Sequence, residues 1–581
     1  MKQKTQARLT PGLLICMAVV ISSLFVGWRE NDMQVHLDHV LRYDIFEVVL
    51  VSEKSYENPF LDVSVEILFT SPTGKELMTY SFYDGQNTWI GRIAPDEVGI
   101  WHYQTRVENG SDPGLNDITG MFECLPSDKK GFIRVDPDTK YWFSYDEGAP
   151  FYGVGDTCYG MVNGITDSQR LQYLDARAAQ KLNFVRFFAS GYEEDARSNP
   201  EAGDLWAWGG SPAAPDYGRY NPAFFRRLEG ILEELNARGI YAEIEIFNLY
   251  SMQAAQSETN YWVKSGELSE RWVRYVVSRL SSYTTVFLWT VSNEYEVYPD
   301  GVYKYDTSDD EWARAMCAVI HATDPYGHPT TVHPEQRFPG KIFGSMAEVD
   351  VITQQQNSYE SSHLMSDALP PYWDGPGNEA GDDILAERRD DKPVINTENG
   401  YCWMEGYPVN FNMQLHSVDK CRQTMWRIFV SGGGAYAAGF AGTWHGRDNW
   451  VYSVNADEKM NVPFWVETGD TGFAAQMGYF YEFVTAQTDF RSMTPANHLV
   501  TRPYLCLANA GVEYVVYAPR GGTVRLKLQD TDASFSLVWF NPRTGRSLPS
   551  LTMKGGENKR LEAPDTNDWI LHLTMLEAGR T

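Results

Sequence analysis

Eight short apolar segments, spaced so that stretches of helical character fit between them, constrain the middle of this chain more than any other feature. They fall at residues 151–157, 183–188, 240–248, 286–294, 329–334, 351–356, 393–398 and 435–444. Helical patterning lies between them, as at 168–180 and 222–238. A strand that is apolar along its whole length, not at every second residue, is covered on both faces, as parallel strands are in α/β folds. Strands alternating with helices build repeated βα units, and eight of them close a barrel. The predicted fold is therefore an α/β (β/α)8 barrel over residues 128–492.

In such a barrel the working groups sit at the carboxyl ends of the strands. The fourth segment runs Val286, Phe287, Leu288, Trp289, Thr290, Val291, Ser292 and stops at Asn293-Glu294; the seventh stops at Glu398. Two glutamates on two strand tips supply what glycoside hydrolysis needs, one carboxyl to protonate the leaving oxygen and one to act at the anomeric carbon. Arg186, ending the second strand, can hold a neighbouring carboxylate ionised or form a core ion pair. Asp156, Asn248 and His333 end other strands, where they can meet sugar hydroxyls or satisfy loop backbone. Glu245 reads as an additional acid and Glu243 as structural. Trp444, ending the eighth strand, offers a broad apolar face to a sugar ring. Trp206, Trp208, Trp403, Trp450 and His445 fall in loops above the strands, to line a cleft or pin the loops.

The Asn-Glu tip with a later Glu tip resembles the large clan of retaining glycoside hydrolases on (β/α)8 barrels. Carried over, the resemblance makes Glu294 the acid/base, Asn293 the neighbour that holds the sugar 2-hydroxyl, and Glu398 the nucleophile. More closely, Gly155-Asp156-Thr157, the Asn183-x-Val185-Arg186 run and Gly432-Gly433-Gly434 leading to Trp444 resemble the apiosidase-like glycoside hydrolases over roughly residues 130–490. Gln354-Gln355-Gln356-Asn357 stands where many clan members carry a His or Tyr beside the nucleophile, and Gln356 is the substrate contact expected there.

Short alternating runs broken by turn clusters flank the barrel, predicting β-sandwiches at 33–127 and 493–581. The first, with Tyr56-Glu57-Asn58-Pro59-Phe60 and the stretch from Ile93 to Trp101, resembles the sandwich ahead of many bacterial polysaccharide-degrading barrels; there Gly85 and Gly99 serve turns and Trp101 fills the core. The second, with Tyr514-Val515-Val516-Tyr517 and Trp539-Phe540-Asn541-Pro542, resembles the collagen-binding-type domain that follows apiosidase-like barrels, a label that does not imply collagen binding.

Lys2, Lys4 and Arg8 precede an apolar stretch from Leu13 to Trp28. Residues 1–30 therefore read as an export signal, either cleaved or kept as a membrane tether through residues 9–28, with the barrel secreted, periplasmic or anchored outside the cytoplasm. A formal charge of −28 and the lack of basic runs beyond the N-terminus argue against a nucleic-acid partner. The six cysteines beyond that stretch, at 124, 158, 317, 402, 421 and 506, contain no Cys-x-x-Cys pair, so no zinc site is expected and buried free thiols are. No His-Glu-x-x-His spacing supports metal-assisted hydrolysis. The reading is an exported retaining glycosidase without a cofactor, acting on an oligosaccharide or polysaccharide. The alternative is a non-catalytic carbohydrate-binding or scaffold protein, which has no use for both glutamates.

Overall fold

The computed structural model describes residues 37–108, 110–191, 205–211, 214–248, 266–297, 307–334, 339–355, 379–388, 391–398, 401–402, 415–440, 442–443, 450–455, 458–462 and 472–576. The expected export segment lies outside them. Eight parallel strands form the central barrel: β1 (Gly153–Thr157), β2 (Phe184–Phe188), β3 (Tyr241–Phe247), β4 (Val286–Asn293), β5 (Thr330–His333), β6 (Ile352–Gln355), β7 (Val394–Glu398) and β8 (Ala435–Phe440). Their hydrogen-bonded order is β5-β4-β3-β2-β1-β8-β7-β6. Between β5 and β6 the ring is completed by fewer bonds: Asp350 N–H to the Thr330 carbonyl (2.8 Å), the Thr331 hydroxyl to the Val351 carbonyl (2.7 Å), and the Thr331 and Thr353 hydroxyls to each other (2.8 Å). Every residue of these strands except Tyr241 is buried, which accounts for their continuous apolar runs.

The helices pack outside this ring, and their sequences say why they start and which face turns inward. In α1 (Asp167–Ala179) the Thr166 side chain accepts from Gln169 N–H while the Gln169 side chain caps Thr166, satisfying two donors that would otherwise be orphaned. Helix α2 (Pro222–Asn236) begins with Asn221 as cap and Pro222 in its first turn, and buries Phe224, Phe225, Leu228, Ile231, Leu232 and Leu235 as one stripe. It ends at Gly239, whose φ of 67° lets the chain reverse into β3. Helices α3 (Glu267–Leu280), α4 (Thr307–Thr323), α5 (Glu379–Glu387), α6 (Val418–Val430) and α7 (Phe473–Gln487) follow.

The amino-terminal end of the barrel is plugged. A small antiparallel sheet of Ile133–Val135, Phe143–Tyr145 and Pro150–Phe151 precedes β1 and packs Phe143, Tyr145 and Phe151 beneath Phe184, Phe287, Val351 and Ile395. Only the opposite end is left for chemistry. Gly155 in β1 is held to glycine by this packing, since a Cβ there would meet the Phe184 ring at 2.5 Å. Gly155→Ala is expected to lower stability by about 1–3 kcal/mol through overpacking, measured as a shift of the denaturant midpoint. An unchanged midpoint would mean that the ring shifts without cost.

Two β-sandwich modules flank the barrel. In the first, sheets of five and three strands enclose Trp89, Trp101, Phe69 and Phe122, and Gly85 and Gly99 turn the chain at φ of 98° and 130°. It is tied to the barrel by Arg92, which donates to Glu47 (2.8 Å), Glu229 of α2 (2.7 Å) and the Arg279 carbonyl of α3 (2.8 Å). In the second, a seven-stranded and a two-stranded antiparallel sheet pack together. It is tied to α6 by Arg422, which grips Asp568 through two bonds of 2.9 Å. The cysteines at 124, 158, 317, 402, 421 and 506 are all buried and unbridged.

Candidate active site

Strand β4 delivers Asn293 and Glu294 to the open end of the barrel. Glu294 leaves the strand at φ 46°, in the left-handed region that a side chain adopts at a cost of roughly 1–2 kcal/mol. The kink is held by its own N–H, which donates to the His333 carbonyl at 2.7 Å. The side chain is half-buried, and one carboxyl oxygen accepts a bond from Gln355 Nε2 at the tip of β6.

Across the mouth, β7 ends in Glu398, and Arg186 of β2 joins the two tips. Its guanidinium is fully buried. The two terminal nitrogens each donate to Glu398 Oε2 at 3.1 Å; one also donates to the Thr397 carbonyl (3.0 Å), the other to Asn293 Oδ1 (2.8 Å) and to the Tyr159 hydroxyl (2.7 Å). Tyr159 in turn donates to the same Glu398 oxygen at 3.2 Å, and its ring stacks on Phe188. One oxygen of Glu398 is thus fixed by three donor groups.

Below this layer, β3 sends two glutamates into the same network. Arg186 Nε donates to Glu245 Oε1 and lies 3.9 Å from Glu243, which accepts the Thr290 hydroxyl at 2.8 Å. Burial pushes the Glu245 carboxyl up to about 8 and that of Glu243 up to about 6, with Arg186 pulling both the other way. One cation shared among three carboxylates cannot offset the burial of all of them. Burial also works against the charge of Arg186, but Glu245, Tyr159, Glu398 and Glu243 together hold it well above its ordinary value. His333, fully buried at the tip of β5, is pushed well below its ordinary value by burial and by Arg186, so its ring is neutral.

The other strand-end residues are engaged in different ways. The Asp156 carboxylate is fully buried and committed to Arg177 (2.6 Å) and the Tyr173 hydroxyl (3.1 Å) of α1, so it is a core ion pair and not a sugar contact. Asn248 donates to the Gly191 carbonyl at 2.9 Å and fixes loop backbone. Neither His333 ring nitrogen has a hydrogen-bond partner among the described residues. Trp206 and Trp208 are buried against each other, and Trp208 packs on Tyr217 and on Trp272 of α3. Trp444, Gln356, Trp403 and His445 lie outside the described residues, as does the side chain of Trp450. The sequence does not single out Tyr159, and it offers Gln355 only within the run Gln354-Gln355-Gln356-Asn357. No group of three or more His, Cys, Asp or Glu among the described residues is arranged to hold a metal ion.

Residues 137–490 match the family model described as apiosidase-like, catalytic domain. Residues 39–108 match a domain of unknown function, and 496–574 a candidate collagen-binding domain of a collagenase. No curated protein matches the chain. Among solved structures, a candidate glycoside hydrolase from Bacteroides vulgatus ATCC 8482 superposes with a TM-score of 0.70 at 19% identity, covering 93% of this chain and 100% of that one. A family 5 glycoside hydrolase from the same organism superposes with a TM-score of 0.62 at 15% identity, covering 77% and 94%. At these identities the two structures bear on the fold.

Proposed function

The chain belongs to the apiosidase-like family of glycoside hydrolases, and we propose that it cleaves its substrate with retention of configuration, Glu398 acting as nucleophile and Glu294 as acid/base. The observation that carries this reading is Arg186, whose one guanidinium bonds both the Glu398 carboxylate and Asn293, the residue preceding Glu294. In the first step a carboxylate oxygen of Glu398 attacks the anomeric carbon, while Glu294 gives its proton to the departing glycosidic oxygen. A glycosyl ester forms on Glu398. In the second step Glu294, now a carboxylate, takes a proton from water as the water attacks the same carbon, and the ester bond breaks. Two inversions give net retention. Asn293, its oxygen engaged by Arg186, has its amide nitrogen left to donate to a hydroxyl of the reacting sugar.

The substrate proposed is an oligosaccharide or polysaccharide outside the cytoplasm. The basic start and apolar stretch of residues 1–30 support export. Incubation of the purified protein with plant, algal and bacterial glycans, followed by product analysis, tests the reading. Release of defined sugars from one of them is expected. Binding to a glycan without any product would favour a carbohydrate-binding protein instead.

A further inference from the structure

The retaining mechanism uses Glu294 and Glu398 and leaves Glu243 and Glu245 unexplained, although both are fully buried in the barrel beneath the nucleophile. Buried carboxyls are costly unless paired, and here the second oxygen of each has no hydrogen-bond partner among the described residues. Arg186 stands between them and Glu398. Its Nε edge faces Glu245 and its terminal nitrogens face Glu398, 3.1 Å away, so whatever one carboxylate takes from the guanidinium the other loses.

We propose that Glu245 is a positioning residue for the nucleophile: through their shared Arg186, its charge state decides how firmly the guanidinium is held on Glu398. With Glu245 protonated, the positive charge of Arg186 is directed to Glu398 and Asn293, and the Glu398 carboxylate keeps its aim at the anomeric carbon. When Glu245 ionises, Arg186 is drawn to its Nε side, the hold on Glu398 Oε2 slackens, and the near-attack geometry is populated less. The other titratable and charged groups turned toward this network are Glu243 on the same strand, Arg186 on β2, Glu398 on β7, Tyr159 after β1 and the neutral His333 on β5. The Glu245 carboxyl, pushed up by burial to about 8, is the one placed to change charge above neutral pH while touching Arg186 directly.

The inference rests on Glu398 being the nucleophile, and the test separates the two. An activated dinitrophenyl 2-deoxy-2-fluoroglycoside of the sugar found in the glycan screen labels a nucleophile without needing a proton from Glu294. The rate of labelling at Glu398, followed by peptide mass spectrometry, is expected to fall about tenfold in the wild type between pH 7 and 9, as one proton is lost. In Glu245→Gln, which keeps an acceptor for Nε and cannot ionise, the rate should stay within about twofold over the same range. Stability provides a second readout. A folded-state value of about 8 against an ordinary 4.5 means that the folded chain binds this proton more tightly, so stability is full below about 4.5 and is lost as pH rises toward 8. Glu245→Gln should therefore match the wild-type Tm near pH 5 and exceed it by a few degrees at pH 8.5. Coincident labelling profiles for the two proteins, or a flat wild-type profile, would overturn the inference. If the variant does not fold, the wild-type labelling profile and the slope of its Tm decide alone. Labelling of a residue other than Glu398 would overturn the proposed mechanism.

Discussion

Glu398→Gln and Glu294→Gln are each expected to lower kcat on an unactivated glycan by about 10⁴-fold or more while leaving Tm within a few degrees of wild type. Each replacement keeps the volume and one carbonyl acceptor. At position 398 that acceptor still takes the bonds from Arg186 and Tyr159, and at 294 it still takes the bond from Gln355, so the fold loses little. The chemistry loses everything it needs, because an amide neither forms a glycosyl ester nor carries a proton to the leaving oxygen. The two variants should then part. Azide is expected to restore turnover to Glu398→Ala, entering the space left by the side chain and attacking the anomeric carbon directly. For Glu294→Ala a substrate with a good leaving group should recover the first step. Activity near wild type in either Gln variant, or loss of activity that follows loss of folding, would remove the assignment.

The second large effect concerns Arg186. Arg186→Met keeps the apolar stem and removes the cation that Glu243, Glu245 and Glu398 share among the described residues, so that Glu245, Glu398 and the Asn293 and Tyr159 oxygens each lose a donor and Glu243 loses a nearby positive charge. Breaking a buried ion pair from one side costs about 3–5 kcal/mol, and kcat should fall at least 10²-fold as the nucleophile loses its aim. Arg186→Lys is expected to recover stability in part and activity hardly at all. A single ammonium cannot span Glu245 on one edge and Glu398 with Asn293 on the other, as the planar guanidinium does. Denaturant unfolding and steady-state kinetics on the two variants check this. A lysine variant with wild-type kcat would show that the charge alone matters, not its fork.

What could be read from the sequence follows from which patterns survive burial. The eight strands were legible because a strand buried on both faces is apolar throughout, and β4 and β7 end where the apolar run meets a carboxylate. The same uniformity hid detail. The first segment was expected as one strand over 151–157, but Phe151 pairs with Phe143 in the plug, and only Gly153–Thr157 enters the barrel. Both stretches are buried and apolar, so nothing in their composition separates them. The eighth was expected to reach Trp444; its strand stops at Phe440 and a turn follows at 442–443. Asp156 was misplaced for a related reason. In a strand without polar alternation the parity of inward and outward side chains cannot be read, and its partner Arg177 declares itself only once α1 is folded against β1. Tyr159 was missed because it lies in a loop, and it reaches a glutamate 239 residues away in the chain. Gln355 lay within a run of three glutamines, where the strand end at Gln355 decides which of them meets Glu294.

The stereochemistry of the first product tests the central claim most directly. If Glu398, held on Arg186, is the nucleophile, its carboxylate is bonded to the anomeric carbon before water arrives, and the sugar is inverted twice. Proton NMR in the first minutes of hydrolysis, before mutarotation mixes the anomers, should show the anomer with the configuration of the bond that was cut. Initial appearance of the opposite anomer would mean that water attacks directly, and would contradict the mechanism even if both glutamates prove essential.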